Sequence, residues 1–169
     1  MASRQLRKTN RTVLIVVEGE TEEAFVQHLK HLYYRRGMRL SISLKNAHGH
    51  GPQGVINKLK SAIRMADFEQ RIAVLDADIA LTVEEAKWLR GQRIATIVST
   101  PAVEATLLAI LGKPVPDATE KCKSALQKCA PGDPTDSRYY EKYFPRATLD
   151  AAQANVQVLA ALITAVATE

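Results

Sequence analysis

The chain has 169 residues, 46% of them hydrophobic and 24% charged, and a formal net charge of +5. That length fits one domain with a real core, and those fractions are ordinary for a globular protein. A membrane span is excluded on length: the apolar C-terminal run from Val156 to Val166 is short and is broken by Gln157 and Thr164.

Four basic residues, Arg4, Arg7, Lys8 and Arg11, lie in the first eleven positions. They read as a basic N-terminal arm over residues 1–11, ahead of a single domain over 12–169. Such an arm suits a polyanionic partner such as nucleic acid, or serves as a solvated tail. No apolar stretch follows the basic start before the first strand, so no signal peptide is expected. Val13–Val17 is an apolar, β-branched strand. A helix over about Thr21–Arg36 follows, with Phe25, Leu29, Leu32 and Tyr33 as its inner stripe. Leu40–Leu44 alternates Leu40, Ile42 and Leu44 with two serines, the pattern of an edge strand. A Gly- and His-rich loop leads to a second helix over about Gln53–Asp67. Ile72–Leu75 is the third strand. Thr82-Val83-Glu84-Glu85 is a capping box opening a third helix.

Ile94–Val98 is the fourth strand, and Pro101 stands where the first turn of a fourth helix is expected. A fifth helix covers about Ala118–Lys128. Residues 130–148 read as a turn-rich stretch, and one last helix covers about Leu149–Ala167. Strands and helices that alternate for a hundred residues predict an α/β, Rossmann-like domain. Its sheet is mostly parallel, with about four strands flanked by helices and a helical C-terminal portion. Cys122 and Cys129 are seven apart on one helical pattern, too far for an easy disulfide. Both read as reduced thiols of a cytoplasmic protein.

The chemistry concentrates at strand ends. The first strand ends in Glu18-Gly19-Glu20-Thr21-Glu22, the third in Asp76-Ala77-Asp78. In open α/β sheets, ligands bind outside the carboxyl ends of the strands. Acids gathered there need a cation, and oxygen ligands suit Mg²⁺ or Mn²⁺. Residues i and i+2 of an extended segment point the same way, so Asp76 and Asp78 are expected to face one ion. Glu18 completes the site or acts as general acid or base. Glu22, one helical turn on, could hold a second metal, and Glu104 opens a helix after the fourth strand. His48 and His50 flank glycines before a helix, a setting that can bind phosphate; the alternative is a plain surface loop. Tyr139, Tyr140 and Tyr143 with Lys142 and Arg146 read as packing or nucleic-acid contacts. His28 and His31 read as a polar helix face.

A strand-end Glu-Gly-x-Thr-Glu, a later Asp-x-Asp and the segment Ser99-Thr100-Pro101-Ala102-Val103-Glu104 together resemble the Toprim domain. Within that superfamily the chain looks most like RloB-like and OLD-type proteins, over residues 12–111. The resemblance implies a Mg²⁺- or Mn²⁺-dependent nuclease of bacterial genome defence or repair. Glu18, Asp76 and Asp78 would then be its catalytic core, with Glu22 and Glu104 as further metal ligands. A metal- or nucleic-acid-binding module that acts with a partner protein is the alternative, and primase-type nucleotidyl transfer a third reading. The stripe Ala152, Val156, Leu159, Ile163 and Val166 is open to either a core role or a homodimer interface.

Overall fold

The computed structural model describes residues 10–168. Arg4, Arg7 and Lys8 of the basic arm lie outside them. Arg11 belongs to the sheet and not to an arm: it is the first residue of strand β1 (Arg11–Val17), and its guanidinium donates to Gln70 Oε1 at 2.8 Å.

Four strands form one sheet: β1, β2 (Leu40–Asn46), β3 (Gln70–Asp76) and β4 (Ile94–Ser99). All pairings are parallel, and the order is β2-β1-β3-β4. The two inner strands carry the unbroken apolar runs, because both their faces are covered. Alternate residues serve opposite cores. Val13, Ile15, Val17, Ile72 and Val74 point to one, Leu14, Val16, Ala73 and Leu75 to the other.

Three helices connect the strands: α1 (Glu20–Tyr33), α2 (Gly51–Met65) and α3 (Val83–Gly91). Phe25 and Leu29 of α1 join the first core, whereas Val55, Ile56 and Leu59 of α2 and Leu89 of α3 join the second. After β2 the chain therefore returns across the opposite face to reach β3 on the far side of β1. Connections reverse direction between β1 and β3, which makes their carboxyl ends the topological switch point. The capping box at Thr82 is present: its hydroxyl accepts from the Glu85 N–H at 3.2 Å, and Glu85 accepts from the Thr82 N–H at 2.8 Å.

The C-terminal portion is helical: α4 (Val103–Ile110), α5 (Thr119–Cys129), α6 (Ser137–Tyr143), α7 (Arg146–Ala152) and α8 (Gln157–Ala167). Three expectations need correction. Pro101 precedes the N-cap Ala102 and is not in the first turn of α4. The turn-rich stretch contains α6. The single last helix is two, α7 and α8, which meet at 120°. The bend lets Leu149 on one side and Leu159, Ile163 and Val166 on the other enter the same core. The apolar stripe of α8 is thus spent inside the molecule, against α1 and α4. Among the described residues no single helix is long and apolar enough to cross a membrane, and the bent pair that would suffice in length and composition supplies core side chains.

Leu159 has no exposed surface. Leu159→Ala is expected to lower unfolding stability by roughly 2–5 kcal/mol, read from urea denaturation midpoints. A loss below about 1 kcal/mol would mean that α8 does not pack as described.

Candidate metal centre

The carboxylates meet at the switch point. Glu18 follows β1 directly, and its Oε2 accepts from the Asp76 N–H at 3.4 Å across the strand ends. Asp76 is the last residue of β3 and pairs in register with Ser99 of β4. Glu22 lies in the first turn of α1 and Glu104 in the first turn of α4, and both are buried. Three strand ends and two helix starts thus converge. The helix starts carry the positive ends of their peptide dipoles, which lowers the cost of placing acids there.

The cost is still visible in the electrostatics. Burial, then the charges of Glu22, Glu18, Glu104 and Asp78, pushes the Asp76 carboxyl up to about 9. Burial, with the charges of Glu18 and Glu104, pushes Glu22 up to about 7 against the pull of its own backbone N–H. Glu22 and Asp76 lie within hydrogen-bonding reach of each other, so the pair holds a proton at neutral pH. Glu18 is also raised, by burial first and by Asp78. Asp76 Oδ1 is buried and has no hydrogen-bond partner among the described residues. An orphaned carboxylate oxygen among like charges is the setting a hard cation satisfies.

The donor set suits Mg²⁺ or Mn²⁺ in charge and hardness. It is not a finished cage: among the described residues no three His, Cys, Asp or Glu side chains are arranged to hold a metal ion. Coordination would need side-chain movement, together with water or substrate oxygens. Asp78 differs from expectation. The strand ends at Asp76, and Asp78 lies in the turn beyond it, so the extended-chain argument that aims both aspartates at one ion does not apply. Its carboxylate is exposed and accepts from the Thr119 hydroxyl at 3.2 Å. Asp78 is a rim charge, near enough to raise Glu18 and Asp76.

The loop after β2 is tied to the acidic turn. Asn46, buried at the end of β2, donates to Glu23 Oε2 at 2.7 Å and accepts from the His48 N–H at 2.7 Å. The His48 ring meets Glu20 Oε1 at 2.8 Å, and the Gly49 N–H donates to the Glu18 carbonyl at 2.8 Å. Residues 48–51 all have positive φ, between 58° and 89°, and this left-handed run turns the chain back over the site. His50 is exposed, and Gly51 at the start of α2 sits against Ile79.

Of the two basic candidates, Arg146 lies elsewhere. Arg146 donates to the Leu32 carbonyl at 3.2 Å and stacks on Tyr33. Leu32 is ten residues along α1 from Glu22, or about 15 Å, so Arg146 is remote from the acids. Lys142 lies over the Tyr143 ring at 4.7 Å. The tyrosines serve packing: Tyr139 and Tyr140 join the aromatic cluster around Phe25 and Phe144. His28 is buried, with Nε2 2.8 Å from the Phe144 carbonyl. Asn46 and Thr119 are not among the candidates legible in the sequence, and Glu23 is legible there only as an acid that favours the dipole of α1. Only Asn46, a polar residue closing an alternating strand, carries a local signal.

No protein-family model, curated protein or solved structure matches the chain.

The raised carboxyls fix the sign of the pH dependence. Unfolded Asp and Glu titrate near 4, about 3.9 and 4.3. Between about pH 4 and 9 these carboxyls therefore bind more protons in the folded state than in the unfolded chain, and their contribution to stability falls as pH rises. Without added metal, Tm is expected to decline from pH 5 to 9, and Asp76→Asn is expected to flatten that slope. Equal slopes in the two proteins would contradict the cluster.

Proposed function

We propose that the chain is a Toprim-like, metal-dependent nuclease that hydrolyses nucleic-acid phosphodiester bonds with Mg²⁺ or Mn²⁺. The observation that carries this reading is the buried, unpartnered Asp76 oxygen amid the charges of Glu18, Glu22 and Glu104 at the switch point. Glu18, Glu22, Asp76 and Glu104 would hold the cation, with Asp78 at the rim. When bound, the cation would polarise a phosphoryl oxygen and lower the pKa of bound water.

Each side chain has a task set by its surroundings. Glu18 Oε2 is steadied by the Asp76 N–H, which suits it either to hold the cation or to accept a proton from attacking water. Glu22 and Asp76, whose proton affinity is raised, would have to give up a proton for a cation to be held between them. The helix starts beneath Glu22 and Glu104 position these acids while offsetting part of their repulsion. The two cysteines are free thiols, which fits the proposal of a reducing, cytoplasmic setting.

That no three-ligand set stands ready-made among the described residues favours one second reading. In it, the chain is a metal- or nucleic-acid-binding module whose site is completed by a partner protein.

Plasmid, single-stranded DNA and tRNA are the substrates to test, with Mg²⁺ or Mn²⁺ and with EDTA. Metal-dependent cleavage by the wild type is expected, falling at least about a hundredfold in Asp76→Ala. Metal-dependent binding without cleavage would favour the module. Equal cleavage by wild type and Asp76→Ala would remove the acidic site from the chemistry.

A further inference from the structure

Strand β4 is an edge of the sheet: among the described residues β3 is its only strand neighbour. One bond fixes the direction of its peptide groups. The Ser99 carbonyl accepts from the Ala77 N–H at 2.9 Å, on the β3 side. Peptide groups alternate sides along a strand, so those of Ala95 and Ile97 also serve β3. Those of Ile94, Thr96 and Val98 point the other way, to the open edge. Among the described residues no backbone group outside the sheet bonds them.

Folded proteins blunt such an edge with a charge, a proline or a covering segment. The opposite edge, β2, carries the exposed Lys45. In contrast β4 reads Ile-Ala-Thr-Ile-Val-Ser, with no charge and no proline. Helices α4 and α8 pack on one of its faces and α3 on the other, yet Ala95, Thr96 and Val98 stay exposed. Val98 leaves 39% of its surface in solvent.

The edge is complementary to itself. A two-fold axis at Thr96 sets two copies of β4 antiparallel. Thr96 then pairs with Thr96 of the second copy, and Ile94 with Val98. These are the residues whose peptide groups point outward, so each pair exchanges both of its bonds. An axis at Ile97 would instead pair Ile94 with Thr100, beyond the strand. Ile94, Thr96 and Val98 also share the face of the second core, which Ile94 joins. Val98 thus gains a β-branched cross-strand neighbour, a favourable pair.

Charge favours a second copy over a foreign strand. Arg90 and Arg93 stand exposed at the amino end of β4. Exposed Asp78 stands at the carboxyl end, where its N–H donates to the Pro101 carbonyl at 3.0 Å. Antiparallel pairing sets the basic end of each copy against the acidic end of the other. Arg93 comes opposite Ser99 of the second copy, the register partner of Asp76.

We infer that the chain forms a two-fold symmetric dimer through antiparallel pairing of β4 with β4 of a second copy. Two four-stranded sheets become one, and the basic end of each copy flanks the acidic cluster of the other. The inference does not depend on the nuclease reading.

The test begins with the mass of the full chain by light scattering, without metal or nucleic acid. A species of twice 18.6 kDa is expected at a chain concentration of about 100 µM. Thr96→Lys sets two like charges opposite each other at an exposed position. It is expected to raise the dissociation constant at least about tenfold, with the circular dichroism of the wild type. Thr96→Cys locates the contact. The Cα atoms of a bonded antiparallel pair lie about 5.5 Å apart, within disulfide reach. Mild oxidation is expected to give a covalent dimer on non-reducing electrophoresis, well ahead of Met65→Cys, an 85% exposed position at the end of α2. The wild type gives the background of Cys122 and Cys129. A monomeric wild type would overturn the inference and leave the edge to a strand of another protein. A dimer indifferent to Thr96→Lys, or crosslinking of Thr96→Cys no faster than that of Met65→Cys, would overturn it as well and place the contact on another face.

Discussion

Like charges held close together in a partly dry site are the constraint on which this molecule turns. Burial first, and then the mutual charges of Glu18, Glu22, Asp76 and Glu104, raise the proton affinity of Glu22 and Asp76. A fold tolerates such an arrangement only if something offsets it. Three offsets are present: the starts of α1 and α4 lie beneath Glu22 and Glu104, the Asp76 N–H donates to Glu18, and the raised proton affinity of Glu22 and Asp76 favours keeping one of them neutral. A divalent cation would be a fourth, replacing a proton there.

The sheet order delivers these residues to one place. With β1 and β3 side by side, the acids that follow Val17 and end β3 become neighbours, although 58 residues separate Glu18 from Asp76 in the chain. The return across the other face, through α2, also brings the left-handed loop at His48–Gly51 over the acidic turn. Asn46 and Glu20 hold it there. The helical C-terminal portion adds Thr119, which bonds Asp78. Site and scaffold are therefore one unit: the acids stay close because the cores on both sheet faces hold the strand ends in register.

Much of this was legible in the sequence, for a physical reason. Val13–Val17 and Ile72–Leu75 are unbroken apolar runs, and only a strand covered on both faces needs that pattern. Acids placed directly after such runs mark the carboxyl edge. Glu104 was legible because it follows a strand and opens a helix. What failed depended on geometry that local pattern does not carry. Asp78 reads as part of an extended segment, but the chain turns after Asp76. The last helix reads as continuous, since nothing in Gln153-Ala154-Asn155 forbids helix; the bend comes from fitting Leu149 and Leu159 into one core. Arg146 looked basic and near aromatic residues, yet which end of α1 it meets is a property of the packed fold.

The central claim is that the clustered carboxylates exist to hold a divalent cation. Titration of the purified chain with Mn²⁺, followed by the electron paramagnetic resonance of the free ion, tests it without requiring turnover. The account predicts saturable binding that tightens as pH rises from 6 to 8.5, is competed by Mg²⁺ and is lost in the Glu22→Gln, Asp76→Asn double variant. No saturable binding in the wild type, or the same binding in the double variant, would contradict it.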